Sequence, residues 1–167
     1  MKHQIHRKFP PGANCFACQN GPKEGIGLRA YETVDGYAIG TVVTKNCHQG
    51  FPGLIHGGIT ATYFDEILWR AIEISAPHVV VMTIELTVTY CKPITVHGQE
   101  LLIVAKTTSI SGRHYEAEGK IILPDGQVAA RCKGKYLSVN KGTFQEEEYK
   151  RECETYYEPA DISFVEF

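Results

Sequence analysis

The sequence has no long apolar run, and no stretch of it approaches the roughly 20 residues that a membrane-spanning helix needs. It also has almost no net charge: 17 Lys and Arg stand against 19 Asp and Glu, a formal −2. That balance removes the electrostatic case for a nucleic acid or a membrane surface as partner. The basic opening at residues 1–8 has no apolar stretch behind it, so it is no secretory signal, and a cytoplasmic location is expected. Internal repeats, low-complexity blocks and a second CxxC pair are all missing. In a cytosolic chain of 167 residues the six cysteines read as free thiols, not as a disulfide framework. What remains is ordinary globular composition, 43% apolar and 22% charged, in a length that suits one domain with a sizeable core.

Strand patterns dominate. Residues 28–44 read as a hairpin turning at Val34-Asp35-Gly36-Tyr37. After Pro77, Ile84, Leu86, Val88 and Tyr90 alternate with Thr83, Glu85, Thr87 and Thr89, the clearest period of two in the chain. Residues 101–107, 115–123 and 128–139 read as three more strands joined by tight turns. Residues 1–26 read as irregular, with turn signals at Pro10-Pro11-Gly12 and Asn20-Gly21-Pro22. Residues 143–167 become acidic and aromatic, which suggests a short helix over about 144–153 and then a surface-packed tail. The expected division is therefore 1–142 as one domain and 143–167 as an acidic appendage.

Cys15-Phe16-Ala17-Cys18 lies in the irregular opening. Its spacing suits loop packing, zinc or a redox pair. Zinc requires two further ligands, and Cys47-His48 is the only other close pair. A redox pair favours a helix starting at the motif, which the following glycine and proline oppose. Packing is the preferred reading.

One stretch departs from the strand pattern. From Ile59 the chain is mostly apolar and free of proline until Pro77, which predicts one long helix ending near Ser75. Ile59, Ala61, Tyr63, Phe64, Ile67, Leu68, Ala71 and Ile72 cover most of its circumference, as in a buried helix. Asp65 inside such a helix is costly unless it is paired, hydrogen-bonded or functional. Glu66 points about 100° away and has Arg70 four residues later for an ion pair. His56-Gly57-Gly58 precedes the apolar run. A helix start offers free N–H groups and partial positive charge, and glycines there let another atom approach the backbone. Nine residues separate His56 from Asp65, about 14 Å of helical rise. A site that uses both must therefore draw them from two copies of the helix, which predicts a two-fold dimer.

His56-Gly57-Gly58 with Asp65 nine residues on resembles the PaaI-like group of hotdog acyl-CoA thioesterases. Pro52-Gly53-Leu54-Ile55 matches the usual lead-in, and Thr89-Tyr90-Cys91-Lys92-Pro93 is similar to the end of the strand after the helix. Cys15-Phe16-Ala17-Cys18 followed by Gly25-Ile26-Gly27-Leu28 resembles one branch of the group, and the likeness covers about residues 15–140. It implies an α+β hotdog fold, an antiparallel sheet of five to six strands wrapped around one long central helix. It implies hydrolysis of an acyl-CoA thioester by a homodimer or a dimer of dimers, with no metal or redox cofactor required. By position, Gly57 would donate its N–H to the thioester oxygen and His56 would orient that loop. Asp65 of the second subunit would act as nucleophile or general base, assisted by the Thr83 hydroxyl. Gly58 belongs to the same helix start. Where the group commonly has Asn, this chain has Gly50, and the adjacent Gln49 is the candidate second donor. Lys92, Arg113, His114 and Lys133 are candidates for contacting the CoA phosphates.

Two other functions compete. A hydratase or dehydratase on the same fold would want a His–Asp or His–Glu pair acting on the acyl chain. A non-catalytic acyl-CoA binder would keep the helix start but could dispense with Asp65.

Overall fold

In the computed structural model, described for residues 1–12, 14–18, 25–140, 142 and 159–167, an antiparallel sheet wraps one helix. The strands are β1 (Lys2–Lys8), β2 (Arg29–Thr33), β3 (Ala38–Val43), β4 (Val80–Tyr90), β5 (Glu100–Ser111), β6 (His114–Ile122), β7 (Val128–Val139) and β8 (Phe164–Glu166). They lie in the order β4-β7-β6-β5-β3-β2-β1-β8. The helix, α1, spans Gly57–Ser75 and ends just before Pro77, as its sequence predicts.

Two strands go beyond the expected five to six, and both are terminal. The opening expected to be irregular holds β1, which pairs with β2 on one side and β8 on the other. Only His3 and Ile5 of β1 are buried, so its period-two signal rests on one apolar residue and is hidden in the sequence. Tertiary pairing, not local propensity, makes it a strand. The short helix expected over 144–153 lies outside the described residues. Residues 159–167 cover the outer face of the sheet, where Ile162, Val165 and Phe167 pack on Ile5, Tyr31, Ile39, Val104 and Ile122.

The expected facing of β4 also needs correction. Its register against β7 slips between Thr83 and Glu85, so an extra residue, Ile84, bulges out. Thr83 consequently shares a face with Leu86 and Val88, opposite the buried Tyr136, while Ile84 is 56% exposed.

The main core lies between α1 and the concave face. Tyr63, Phe64, Ile67, Leu68 and Ile72 are fully buried there. Leu68 is seated against Gly119 of β6 and Gly134 of β7. A Cβ at Gly134 would lie 3.1 Å from Leu68 and 2.7 Å from the Tyr136 ring, and one at Gly119 would lie 2.9 Å from the Val104 carbonyl oxygen. The absent side chains therefore set how deeply the helix sinks into the sheet. No helix of the described residues is long and apolar enough to cross a membrane.

Gly119→Ala and Gly134→Ala should each destabilise the fold by about 1–3 kcal/mol, the usual cost of overpacking a filled core. Urea unfolding should show a lower midpoint with unchanged far-UV circular dichroism.

Candidate active site

The start of α1 is held from three directions. His56 is its N-cap, with extended backbone geometry, and its Nδ1 accepts the Gly58 N–H at 2.9 Å. The His56 N–H donates to the His48 carbonyl at 2.9 Å, which ties the helix start to the turn Asn46–His48. Tyr90, at the end of β4, donates its hydroxyl to the Gly57 carbonyl at 2.9 Å. Gly50 must be small, because a Cβ there would lie 3.0 Å from His56 Cα. With the capping His56 turned onto Gly58, the Gly57 N–H has no acceptor among the described residues. It points from the positive end of a 19-residue helix, the arrangement that suits a developing oxyanion.

Two turns along the helix, Asp65 is half-buried and accepts a hydrogen bond from the Thr83 hydroxyl at 2.7 Å through Oδ1. Asp65 Oδ2 has no hydrogen-bond partner among the described residues. β4 thus runs back along α1 and touches it twice, Tyr90 against Gly57 and Thr83 against Asp65. The bulge at Ile84 makes both contacts possible from one strand, since it brings Thr83 onto the helix side. Sequence alternation places Thr83 outward, and no residue in β4 announces the extra position. Tyr90 as the brace of the helix start is a second contact that the motif alone does not reveal; its parity with Leu86 and Val88 is the signal that could have found it.

The remaining candidates are spread out. Within one protomer Gly57 and Asp65 are eight residues apart, about 12 Å along the helix. Gln49 is exposed, and its side-chain oxygen accepts the Gly53 N–H at 2.7 Å, so its role here is to close the loop before the helix. Lys92 follows β4 at the Gly57 end. Arg113 and His114 stand at the β5–β6 turn, level with Leu137 and therefore at the Asp65 end. The Arg113 guanidinium donates to the Ser138 carbonyl at 2.9 and 3.3 Å. Lys133 is exposed in mid-sheet, opposite Thr87 and Glu118.

His48 is only 4% exposed, and neither ring nitrogen has a hydrogen-bond partner among the described residues. Burial, reinforced by Lys45, holds its pKa below the ordinary 6.5, so it is a neutral imidazole beneath the helix start.

Residues 52–130 match the family model described as the Thioesterase superfamily. The chain is similar to the crystal structure of a thioesterase superfamily protein at 28% identity and a TM-score of 0.61, over 68% of this chain and 62% of that one. The matched region thus spans less than two thirds of that relative. The PaaI protein from the phenylacetic acid degradation operon of E. coli is similar at 16% identity and a TM-score of 0.61, over 69% of this chain and 81% of that one. A hypothetical thioesterase from Streptococcus pneumoniae, solved with coenzyme A, is similar at 17% identity and a TM-score of 0.57, over 64% and 80%. No curated protein matches the sequence. The resemblance read from His56-Gly57-Gly58 and Asp65 is thus matched by the family model and by the fold: one long helix in an antiparallel sheet, the hotdog architecture of the thioesterase superfamily.

Because folded His48 binds a proton less readily than the unfolded chain, the stability it contributes is whole above pH 6.5 and is lost as pH falls from there toward its lowered pKa. Calorimetric thermal midpoints should drop across that window, and His48→Leu should flatten the slope.

Proposed function

We propose that this protein hydrolyses an acyl-CoA thioester at a site shared by two protomers, inside a fold and family match that are those of the thioesterase superfamily. The observation that carries the reading is the pair of contacts between β4 and α1. A helix-start N–H without an acceptor stands at one end of the strand, and a carboxylate fixed by a hydroxyl stands at the other.

In one protomer the two halves are too far apart to meet on one carbonyl. β4 supplies the means to join them. It is an 11-residue strand on the open edge of the sheet, paired among the described residues only with β7, and Met82, Ile84 and Tyr90 on it are each more than half exposed. Long, apolar, unpaired edges favour pairing with another strand. Two β4 strands related by a two-fold axis near mid-strand would run antiparallel and lay Thr83 and Asp65 of one protomer beside Tyr90 and Gly57 of the other. The same operation carries Arg113 and His114 of one protomer toward Lys92 of the other. That would gather basic side chains around one mouth, as CoA phosphates require.

The chemistry follows from these parts. The Gly57 N–H, with the helix dipole behind it, stabilises the oxyanion that forms when the thioester carbonyl is attacked. His56 holds that peptide in place by capping Gly58. Thr83 fixes the Asp65 carboxylate through Oδ1, leaving Oδ2 to attack the carbonyl carbon or to take a proton from water. The thiolate of CoA then departs. A good leaving group makes a carboxylate sufficient for the attack.

Asp65→Asn should abolish thiol release from acyl-CoA while leaving CoA binding intact, as followed by a thiol reagent and by calorimetric titration. Gly57→Pro removes the N–H at a helix position that tolerates proline and should cost about 10²–10³ in kcat. Mixing these two inactive variants should restore about a quarter of wild-type activity, since about half the dimers are hybrids with one intact site. A mixture that stays inactive while forming hybrids would place the site inside one protomer. Binding of CoA without turnover in the wild type would favour the binder.

A further inference from the structure

On the flank of α1 turned about 100° from Asp65, the carboxylate of Glu66 is divided between two neighbours. Oε1 accepts from Arg70 Nε at 3.2 Å, and Oε2 lies 3.8 Å from Cys15 Sγ. Both sulfurs of the CxxC segment and a Glu66 oxygen fall within 4.8 Å of one another. The sulfurs are themselves oriented by the backbone: the Cys18 N–H donates to Cys15 Sγ at 3.3 Å, and the Gly12 N–H donates to Cys18 Sγ at 3.2 Å. The segment is pinned in turn, since Ile26 and Leu28 donate to the Phe16 and Ala17 carbonyls at 2.9 Å. Cys18 and Glu66 are buried and Cys15 is half-buried.

We propose that Cys15, Cys18 and Glu66 form a binding site for a thiophilic divalent cation, zinc being the best fit, with the fourth position taken by water. Zinc bonds of about 2.3 Å to sulfur and about 2.0–2.2 Å to oxygen at a tetrahedral angle put S and O about 3.6 Å apart. The Cys15–Glu66 separation of 3.8 Å is already near that value. The donors are two soft sulfurs and one carboxylate, a set that suits zinc and is too soft and too small for calcium or magnesium. Arg70 holds the second Glu66 oxygen, which is the usual support behind a ligating carboxylate. Binding would exchange the thiol protons for the cation, with up to two protons released and two S–metal bonds formed.

A dithiol switch fits less well. It makes no use of Glu66, whose negative charge opposes thiolate formation at both sulfurs. A cation turns that repulsion into attraction. The site would staple the opening segment to the central helix, and it stands independently of the thioester reading.

The full-length protein, purified without chelator, should hold about one zinc per chain by elemental analysis. Cobalt(II) added to the chelator-treated protein should give a sulfur-to-cobalt charge-transfer band in the near-ultraviolet, with a rise in thermal midpoint. Cys15→Ser should weaken zinc binding at least about tenfold, as should Glu66→Gln, which keeps an acceptor for Arg70. Cys47→Ser and Cys91→Ser, both exposed in the fold, should bind as the wild type does. The proposal is overturned if wild-type protein takes up no zinc. It is equally overturned if the cobalt spectrum lacks the charge-transfer band, or if the Cys15→Ser and Glu66→Gln variants, folded by circular dichroism, bind unchanged.

Discussion

Leu68 pressed against two glycines is the contact on which the rest of the molecule depends. Side chains at 119 and 134 would collide with Leu68, Tyr136 and the β5 backbone, so the helix could not descend to its present depth. That depth, together with the 100° step between helical residues, sends successive side chains into different surroundings. Asp65 turns to β4, Glu66 to the CxxC segment, and Ile67 and Leu68 into the core. A helix rolled by one residue would lose all of these partners together.

Rotation is also fixed electrostatically. Arg70 and Glu66 are each 8% exposed, and Arg70 bonds Glu66 at 3.2 Å and Glu73 at 2.9 Å. Burial works against the guanidinium charge, but the two carboxylates outweigh it and raise its pKa. The Arg70 guanidinium also lies 4.0 Å from the Trp69 ring and 5.1 Å from that of Phe9. A buried group of this kind is a poor source of net stability, but losing one member typically costs about 3–5 kcal/mol. Its effect is therefore to penalise other rotations and other placements of the segment after β1.

Most of the architecture was legible from pattern. The helix and the strands β2 to β7 declare themselves because each buries a face, and burial leaves a period of 3.6 or 2 in the residues. β1 and β8 bury little and hold together by pairing, which leaves no periodic trace. The candidate site was legible in part. His56, Gly57 and Asp65 are readable because a helix start and a buried acid break the apolar pattern. The hydrogen bond from Thr83 to Asp65 arises through a bulge that alternation cannot foresee. The Glu66–Arg70 pair was visible in the four-residue spacing, whereas the approach of Cys15 to Glu66 spans 51 positions and belongs to tertiary structure.

The slip at Ile84 divides β4 into two halves that obey opposite parity rules. Before it, odd positions meet the core; after it, even positions do. Were Ile84 to take a place in the ladder instead of bulging from it, alternation would be perfect, yet the Thr83 hydroxyl would swing out to solvent, away from Asp65. Regularity in this strand would therefore be a lesion.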